Sequence, residues 1–342
     1  MREWIKQRGL PQLLSRQEMV DILIEEEYGQ LPSKPENLQF EVVKTNARMC
    51  AGKAILTKLT CTCEVNGKIF SFPFQTVLPT AAEKHPFFIH CYFKDAACDR
   101  HIPIEEIVDQ GFAVLSVCYT DVTSDNWDFT DGLAGVLFEN GQRKPNDPGK
   151  IAMWAWAMQR VMDYAQTLGD VLDLSLSCSC GHSRLGKTAL FAAMTDERFA
   201  FAYSNNSGCS GAAISREKVG EDVKFICGKF GYWFCENYFK HGENVQEMPF
   251  DQHYLVASIA PRKVLIGSAS EDEWADPLSE QLCCFGASDA FKKPFVCPDR
   301  PAEIGEAFYE GHIGYHLRKG CHYFSREDWN NLIRFINMHR DD

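Results

Sequence analysis

The segment from Gly181 to Thr188, with the sequence GHSRLGKT, limits the fold and chemistry of this chain more than any other. The alternating residues 172–177 before it predict a strand, and the apolar run 189–194 after it predicts a helix. A glycine-bracketed serine on such a strand-to-helix turn is typical of a nucleophilic serine. The same letters also satisfy Gly-x-x-x-x-Gly-Lys-Thr, the phosphate-binding P-loop, so other segments must decide between the two.

The charge balance and hydropathy argue against several classes of partner. The chain has 342 residues, with 35 basic and 47 acidic side chains and a net charge of −12. This balance argues against nucleic acid or an anionic membrane as a partner. The sequence contains no apolar run of about 18 residues, the length that would predict a membrane span. Residues 1–8 lack the apolar core of a signal peptide, which predicts a cytoplasmic protein, although a secreted protein without its leader would look the same.

The cysteine content is high but shows no disulfide or zinc pattern. The count is 15, an odd number, and the spacing lacks the rhythm of a disulfide scaffold. The chain has no Cys-x-x-Cys repeat that would chelate zinc. We therefore expect reduced, mostly buried thiols, and we predict neither a metal nor an organic cofactor.

The order of predicted elements indicates an α/β fold. Residues 55–65 and 68–78 alternate in polarity and flank Asn66-Gly67, a dipeptide of tight turns, so they should form an antiparallel hairpin. Strands and helices alternate after it, which predicts a mostly parallel sheet covered on both faces. The predicted strands are 87–92, 113–117, 172–177, 201–204, 264–269 and 313–317, and predicted helices include 151–165 and 325–339.

The sequence predicts a single domain over residues 1–342, because no repeat, low-complexity tract or linker divides it. Residues 1–37 should form an N-terminal helical extension, and 206–262 a long excursion between strands. Within the extension, residues 15–18 have the pattern of a capping box, and the glutamates at 25–27 should lie at a solvated helix end.

An acidic loop and a histidine follow the serine in the order that serine hydrolases of the α/β type require. The acid-rich loop 271–276 comes directly after a predicted strand, and His322 follows the last strand. We therefore predict Ser183 as the nucleophile and His322 as the general base. His312 and His316 are the competing histidines, and His316 lies within a predicted strand, where a structural role is expected.

The P-loop interpretation passes fewer of these tests. It requires a second carboxylate at the end of an apolar strand to hold Mg²⁺, whereas the strand 264–269 runs on into Ser270 before any acid. The motif also lies past the middle of the chain rather than at the first strand of a nucleotide-binding domain. Nucleotide binding therefore remains only as an alternative.

Other histidines and tryptophans have structural interpretations. His182 should form hydrogen bonds near the strand-to-helix turn of Ser183 (the elbow), and His253 should do so near a helix start. Trp154 and Trp156 should pack their helix against the sheet.

The elbow motif at residues 181–187 fits Gly-x-Ser-Arg-x-Gly-Lys, and with it the chain resembles the glucuronoyl esterases, particularly bacterial members. The resemblance implies an α/β-hydrolase fold and hydrolysis of esters of 4-O-methyl-glucuronic acid, as between glucuronoxylan and lignin alcohols. It implies a small-molecule or oligosaccharide uronate ester as substrate and no cofactor. Further similar segments are 204–213, 251–253, 259–262, 274–277 and 313–316.

The resemblance also implies roles for residues around the elbow. Arg184 would help to stabilise the oxyanion, where preorganised donors contribute most. Lys187, Glu221 and Trp274 would hold the uronate ring, and Lys187 lies four residues after Ser183, on the same helix face. By residue type alone, Trp274 fits either a sugar-stacking surface or the core, and Glu221 is one of several acids in its segment.

The acid of the triad departs from the usual family position. Many members carry it after the strand that follows the elbow, where this chain has Asn206. We therefore assign the acid to the later loop and choose Asp272. Asp276 is the competing residue, but it precedes Pro277 and should cap a helix. The glutamates on either side of Asp272 should point elsewhere.

The loop after the predicted strand 87–92 also differs from the family pattern. Family members often have glycines there, whose amides face the oxyanion, whereas this chain has Phe93-Lys94-Asp95, so the second oxyanion donor stays unassigned. Two further alternatives remain open. An acetyl-xylan-type or other carbohydrate esterase would share the triad, and a catalytically inactive relative would bind saccharides without turnover.

Overall fold

One ten-stranded sheet organises the described residues, 1–93 and 102–342 of a computed structural model. The strand order is β1-β2-β3-β5-β4-β6-β7-β8-β10-β9. The strands are β1 (Gln39–Met49), β2 (Ala54–Val65), β3 (Lys68–Pro79), β4 (His85–Tyr92), β5 (Ala113–Cys118), β6 (Leu172–His182), β7 (Phe201–Asn205), β8 (Lys263–Ala269), β9 (Ala307–Phe308) and β10 (Ile313–Arg318).

The strand directions agree with the predicted α/β-hydrolase sheet. The six strands from β5 to β10 in the sheet order are parallel to one another, while β1, β2, β3 and β9 pair antiparallel. The helices are α1 (Arg2–Gln7), α2 (Arg16–Leu23), α3 (Ile104–Asp109), α4 (Tyr119–Val122), α5 (Gly132–Leu137), α6 (Lys150–Gln166), α7 (Arg184–Thr195), α8 (Val223–Phe230), α9 (His253–Ala257), α10 (Pro277–Ala287) and α11 (Arg326–Met338).

The predicted hairpin is confirmed, and the sheet also has a strand that the sequence does not reveal. β2 and β3 pair from Val65 opposite Lys68 to Ala54 opposite Pro79, around a turn in which Asn66 has a φ of 51°. β1 pairs with β2 but is exposed along nearly its whole length. Because it buries neither face, β1 lacks the alternating apolar pattern that predicts a strand.

The N-terminal extension contains the predicted capping box, in which the Ser15 side chain accepts from the backbone of Glu18. The prediction of solvated glutamates after it is wrong for Glu27. α2 ends at Leu23 and continues as a π-helical turn, which changes the direction of the following side chains and buries Glu27 completely. Both its carboxylate oxygens accept from Nε2 of Gln252, and burial raises the pKa of Glu27 to about 8.

The core lies between the sheet and its helices. Trp154 and Trp156 of α6 are fully buried, as predicted, and α11 begins with a capping box at Ser325. The described cysteines are free thiols, most of them buried. Within the described ranges, no helix has the length and hydropathy of a membrane span.

The excursion between β7 and β8 contains α8, α9 and several short 3-10 turns. It carries Glu221 and Trp233 to the carboxyl edge of the parallel strands, where the site residues lie. The division of the chain into one domain with an extension at 1–37 and an excursion at 206–262 stays a prediction.

Candidate active site

Ser183 occupies a sharp turn between β6 and α7. The strand ends at His182 and the helix begins at Arg184, so the serine alone joins them. Its φ of 58° and ψ of −129° are rare for a residue with a side chain, a strain typical of nucleophile elbows. A Cβ on Gly181 would lie 2.1 Å from the carbonyl oxygen of Leu185, which explains the glycine. A turn of one residue leaves no loop to surround a phosphate, so the geometry favours the serine interpretation.

His322 and Asp272 form a hydrogen-bonded pair at the same edge of the sheet. Nδ1 of His322 lies 2.6 Å from Oδ2 of Asp272, which follows the end of β8. That oxygen also accepts from Nδ2 of Asn206 at 2.8 Å. Burial opposes ionisation of Asp272, but the hydrogen bonds from His322 and Asn206 outweigh it, and the pKa of Asp272 is lowered. The carboxylate of Asp272 is therefore ionised at neutral pH.

Asp276 has the structural role that its position before a proline predicts. It is the N-cap of α10, where its carboxylate accepts from the backbone N–H of Ser279 at 3.1 Å and the hydroxyl at 2.5 Å. The same carboxylate accepts from the backbone N–H of Val219 at 3.0 Å. Of the two aspartates, Asp272 and Asp276, it is therefore Asp272 that binds His322.

All seven residues predicted for the site line one cavity of about 350 Å³. It opens at the carboxyl ends of the parallel strands, where ligands bind in open α/β sheets. The seven are Ser183, Arg184, Lys187, Glu221, Asp272, Trp274 and His322. The structure therefore brings together segments separated by up to 139 positions of the chain, from Ser183 to His322.

The guanidinium of Arg184 is held by two residues that sequence reasoning missed. Its Nη1 donates to Oδ2 of Asp125, and its central carbon, Cζ, lies 4.6 Å from the ring centroid of Trp233. The Trp233 indole N–H donates to the other Asp125 oxygen at 2.7 Å. Neither residue belongs to a recognisable motif, so the sequence offered no signal for this arrangement.

Lys187 projects from α7 into the buried side of the cavity. Its ammonium donates to the backbone carbonyl of Ser207, and burial lowers its pKa, while the nearby charge of Glu221 opposes that shift. Glu221 is itself buried, and its backbone N–H donates to the carbonyl of Trp274 at 3.1 Å. Trp274 is 51% exposed at the cavity wall and packs edge-on against Phe225, with ring centroids 5.1 Å apart. It therefore presents a ring that is open to a ligand.

Asn206 supports the acid of the pair. Its φ is 48°, and its backbone N–H donates to the carbonyl of Gly267 at 2.8 Å, which fixes the side chain beside Asp272. In the sequence, this position stands out as the one where many family members carry the acid. The structure shows that its side-chain amide donates to the carboxylate of Asp272, in the later loop.

Glu280 is a second buried carboxylate behind the cavity, and sequence reasoning missed it. It accepts from the hydroxyl of Ser268 at 2.5 Å and from the backbone N–H of Gly208 at 2.9 Å. Burial raises the pKa of Glu280 to about 7. It thereby joins the loop that carries Asn206 to the end of the strand that leads to Asp272.

The remaining histidines near the sheet have structural partners. His182 pairs with Asn205 at 2.7 Å and packs against His322, with ring centroids 4.4 Å apart. His316 lies within β10, contacts the hydroxyl of Tyr203 at 3.0 Å, and has its pKa lowered by burial to about 3. His253 lies 2.9 Å from the carbonyl of Pro11.

The predicted change in the oxyanion loop falls mostly outside the described residues. Phe93 lies beside the site, with its ring centroid 5.9 Å from Cζ of Arg184. Lys94 and Asp95 lie outside the described residues. At the start of α7, the backbone N–H groups of Gly186 and Lys187 donate to the carbonyl of Ser183 at 2.9 and 3.3 Å, whereas those of Arg184 and Leu185 have no intrahelical acceptor.

Comparisons with known proteins agree on one group of enzymes. The family model described as "Glucuronyl esterase, fungi" matches residues 61–293. Carbohydrate esterase MZ0003, from an unknown prokaryotic organism, is 37% identical over 247 residues, which cover 69% of this chain and 55% of that protein. A 4-O-methyl-glucuronoyl methylesterase of Podospora anserina is 24% identical over 293 residues, 81% of this chain and 53% of that protein.

Solved structures show the same similarity over more of the chain. The glucuronoyl esterase from Solibacter usitatus superimposes with a TM-score of 0.85 at 31% identity, covering 94% of this chain and 91% of that one. The chain spans about half the length of the curated relatives it matches.

Proposed function

The chain belongs to the glucuronoyl esterase family and has its α/β-hydrolase fold, and on that premise we propose that it hydrolyses esters of glucuronic acid through an acyl-enzyme on Ser183. The main support is the hydrogen-bonded His322–Asp272 pair, which shares one cavity with the strained serine of the elbow. The names of the relatives support a uronate ester as the substrate class.

In the first step, the hydroxyl oxygen of Ser183 forms a bond to the ester carbonyl carbon as Nε2 of His322 takes its proton. Asp272 accepts a hydrogen bond from the N–H at Nδ1, which fixes the tautomer and stabilises the imidazolium. The tetrahedral intermediate then breaks its bond to the alcohol, and His322 returns the proton to the leaving oxygen. Water repeats the sequence on the acyl-enzyme, releasing the uronic acid and restoring the serine.

The oxyanion of each intermediate is stabilised by Arg184, whose backbone amide begins α7 and whose side chain lines the cavity. The contacts with Asp125 and Trp233 hold the guanidinium in place before substrate arrives. Preorganised donors of this kind cost no reorientation during the reaction, which is why they accelerate it.

The uronate ring binds between Lys187, Glu221 and Trp274. An esterified uronate carries no carboxylate charge, so recognition depends on its hydroxyl and ring oxygens. Lys187 donates hydrogen bonds to such oxygens and Glu221 accepts from hydroxyls. The exposed face of Trp274 suits the apolar side of a sugar ring.

The test compares hydrolysis of the benzyl ester of glucuronic acid with that of 4-nitrophenyl acetate. We expect turnover of the glucuronate ester, lost by on the order of 10⁴-fold or more in Ser183→Ala. Glu221→Gln and Lys187→Ala should raise KM for the glucuronate ester but leave hydrolysis of the acetate nearly unchanged, because acetate has no ring to bind.

Folded protein that hydrolyses only the acetate would indicate another carbohydrate esterase and contradict the proposed substrate. Absence of turnover on both esters, with saccharide binding that survives Ser183→Ala, would indicate an inactive binding protein. Thermal melting of each variant separates lost binding from lost folding.

A further inference from the structure

A second group of histidine and aspartate side chains lies at the opposite edge of the sheet from the cavity. His312 immediately precedes β10, and its carbonyl accepts from Val264 at the start of β8. His339 follows α11, and Asp342 lies three residues further on. One ligand atom from each of these three side chains lies within 4.8 Å of the other two.

The imidazole of His312 is buried without hydrogen bonds. Its side chain is only 7% exposed, and neither ring nitrogen has a hydrogen-bond partner among the described residues. Nε2 lies 3.5 Å from Oδ2 of Asp342. Burying a polar group without a partner is costly, so a buried ring of this kind calls for a partner from outside the chain, such as a bound ion or water.

The ring of His339 is oriented as in metal sites. Its Nε2 lies 2.6 Å from the carbonyl oxygen of Tyr309, and because a carbonyl only accepts, Nε2 carries the hydrogen. In the neutral ring, Nδ1 then presents its lone pair to Oδ2 of Asp342, 2.8 Å away. Two acceptors this close need a proton or a cation between them. Metal-bound histidines characteristically donate their other N–H to such a carbonyl.

We propose that His312, His339 and Asp342 bind a divalent transition-metal ion, with Zn²⁺ as the best match to two imidazoles and a carboxylate. Ligands about 2.0–2.1 Å from a tetrahedral ion lie roughly 3.3–3.4 Å apart. Oδ2 of Asp342 lies 3.5 Å from Nε2 of His312 and 2.8 Å from Nδ1 of His339, so the carboxylate has to move away from His339 by a few tenths of an ångström when the ion binds. Water would complete the tetrahedron on the side where Asp342 is exposed. The sequence predicted no metal, because the cysteines show no zinc-binding spacing and His312 lies 27 positions before His339.

The role of the ion is structural. It joins the end of α11 to the amino ends of β8 and β10, whereas Ser183 and His322 lie beyond the carboxyl ends of the strands. Removing it should therefore lower Tm and leave esterase turnover unchanged at temperatures where the protein stays folded.

One lysine competes with the ion for the carboxylate of Asp342, and a second lysine binds the backbone of the same residue. Nζ of Lys293 lies 2.6 Å from Oδ2 of Asp342, and Nζ of Lys263 donates to the backbone carbonyl of the same residue at 2.9 Å. Because Lys293 is half-exposed, its ammonium can move into solvent when a cation arrives. Lys293→Gln should consequently bind Zn²⁺ more tightly than the wild type.

The experiment titrates Zn²⁺ into the full chain after EDTA treatment, with calorimetry and thermal melting as readouts. We expect one ion per chain and a rise in Tm, both lost in His312→Gln. The affinity should fall by more than the roughly 10–100-fold typical of changes outside the ligand set. His241→Gln is the matched control, since His241 is also buried but pairs with Glu26 elsewhere, and it should bind as the wild type does.

Binding of the same strength in His312→Gln would place the ion elsewhere, for example on thiols, and would overturn the proposal. A wild-type Tm that does not respond to Zn²⁺ would overturn it as well. If His312→Gln does not fold, His339→Gln replaces it. Turnover of the glucuronate ester is measured in parallel, so failure of the esterase proposal is distinguishable from failure of the metal proposal.

Discussion

Two groups of histidine and aspartate lie at opposite ends of the same two strands, β8 and β10. At the carboxyl ends, His322 and Asp272 share a cavity with Ser183. At the amino ends, His312 lies with a second histidine, an aspartate and two lysines. We therefore propose different chemistry for the same residue types: the serine beside the first pair offers a proton to transfer, whereas the converging lone pairs of the second group favour a cation.

This difference follows from the architecture of parallel sheets. The loops after the carboxyl ends of parallel strands converge on one crevice, and catalytic groups concentrate there. The amino ends mainly receive the chain from the helices. We therefore expect substitutions at the carboxyl edge to change rate more than stability, and substitutions at the amino edge to do the reverse.

The largest effect should come from replacing one histidine at each edge of the sheet with glutamine. His322→Gln removes the proposed general base and should lower kcat on the glucuronate ester by on the order of 10⁴-fold or more, with little change in Tm. His312→Gln should leave kcat near the wild-type value and abolish the Zn²⁺-dependent rise in Tm. Kinetics and melting curves of the two purified variants test this, and equal loss of rate in both would break the comparison.

The next effect separates the two aspartates of one loop. Asp272→Asn removes the charge that, in the proposed mechanism, stabilises the imidazolium of His322, and it should reduce kcat by on the order of 10³- to 10⁴-fold. Asp276→Asn keeps an N-cap acceptor for α10 and should cost at most a few-fold in rate. A larger loss of kcat in Asp276→Asn than in Asp272→Asn would show that the assigned acid is wrong.

The smallest effect concerns the pH dependence of Tm that arises from Glu280, the buried carboxylate behind the cavity. The pKa of Glu280 rises from 4.5 to about 7, so between these values the folded state holds a proton that the unfolded state has lost. Stability from this group is therefore full below pH about 4.5 and falls as pH rises through about 7. Glu280→Gln should flatten the decline in Tm between pH 5 and 8, although Glu27, with a pKa of about 8, keeps part of it. Parallel curves for variant and wild type would contradict this.

The sequence predicted those parts of the site that depend on local patterns. The elbow of Ser183, the loop of Asp272 and the position of His322 each follow a strand, and parallel strands bring such loops together. The fold class is confirmed for the same reason, because alternating strands and helices specify it. The cytoplasmic location stays a prediction.

Contacts between distant segments could not be predicted. Arg184 binds Asp125, which is 59 positions away, and no spacing rule connects them. Glu27 was expected in solvent because its local sequence is acidic, whereas the π-helical turn buries it against Gln252, 225 positions away. Tertiary packing, rather than local propensity, determines such partners.

Attack by Ser183 on the ester is the step on which the other roles depend, and covalent labelling tests it most directly. A fluorophosphonate is added with and without the benzyl ester of glucuronic acid, and the adduct is located by peptide mass spectrometry. We predict one adduct, on Ser183, formed more slowly in the presence of the ester and absent in His322→Gln. An adduct on another residue, or ester hydrolysis by protein whose Ser183 is never labelled, would contradict the mechanism.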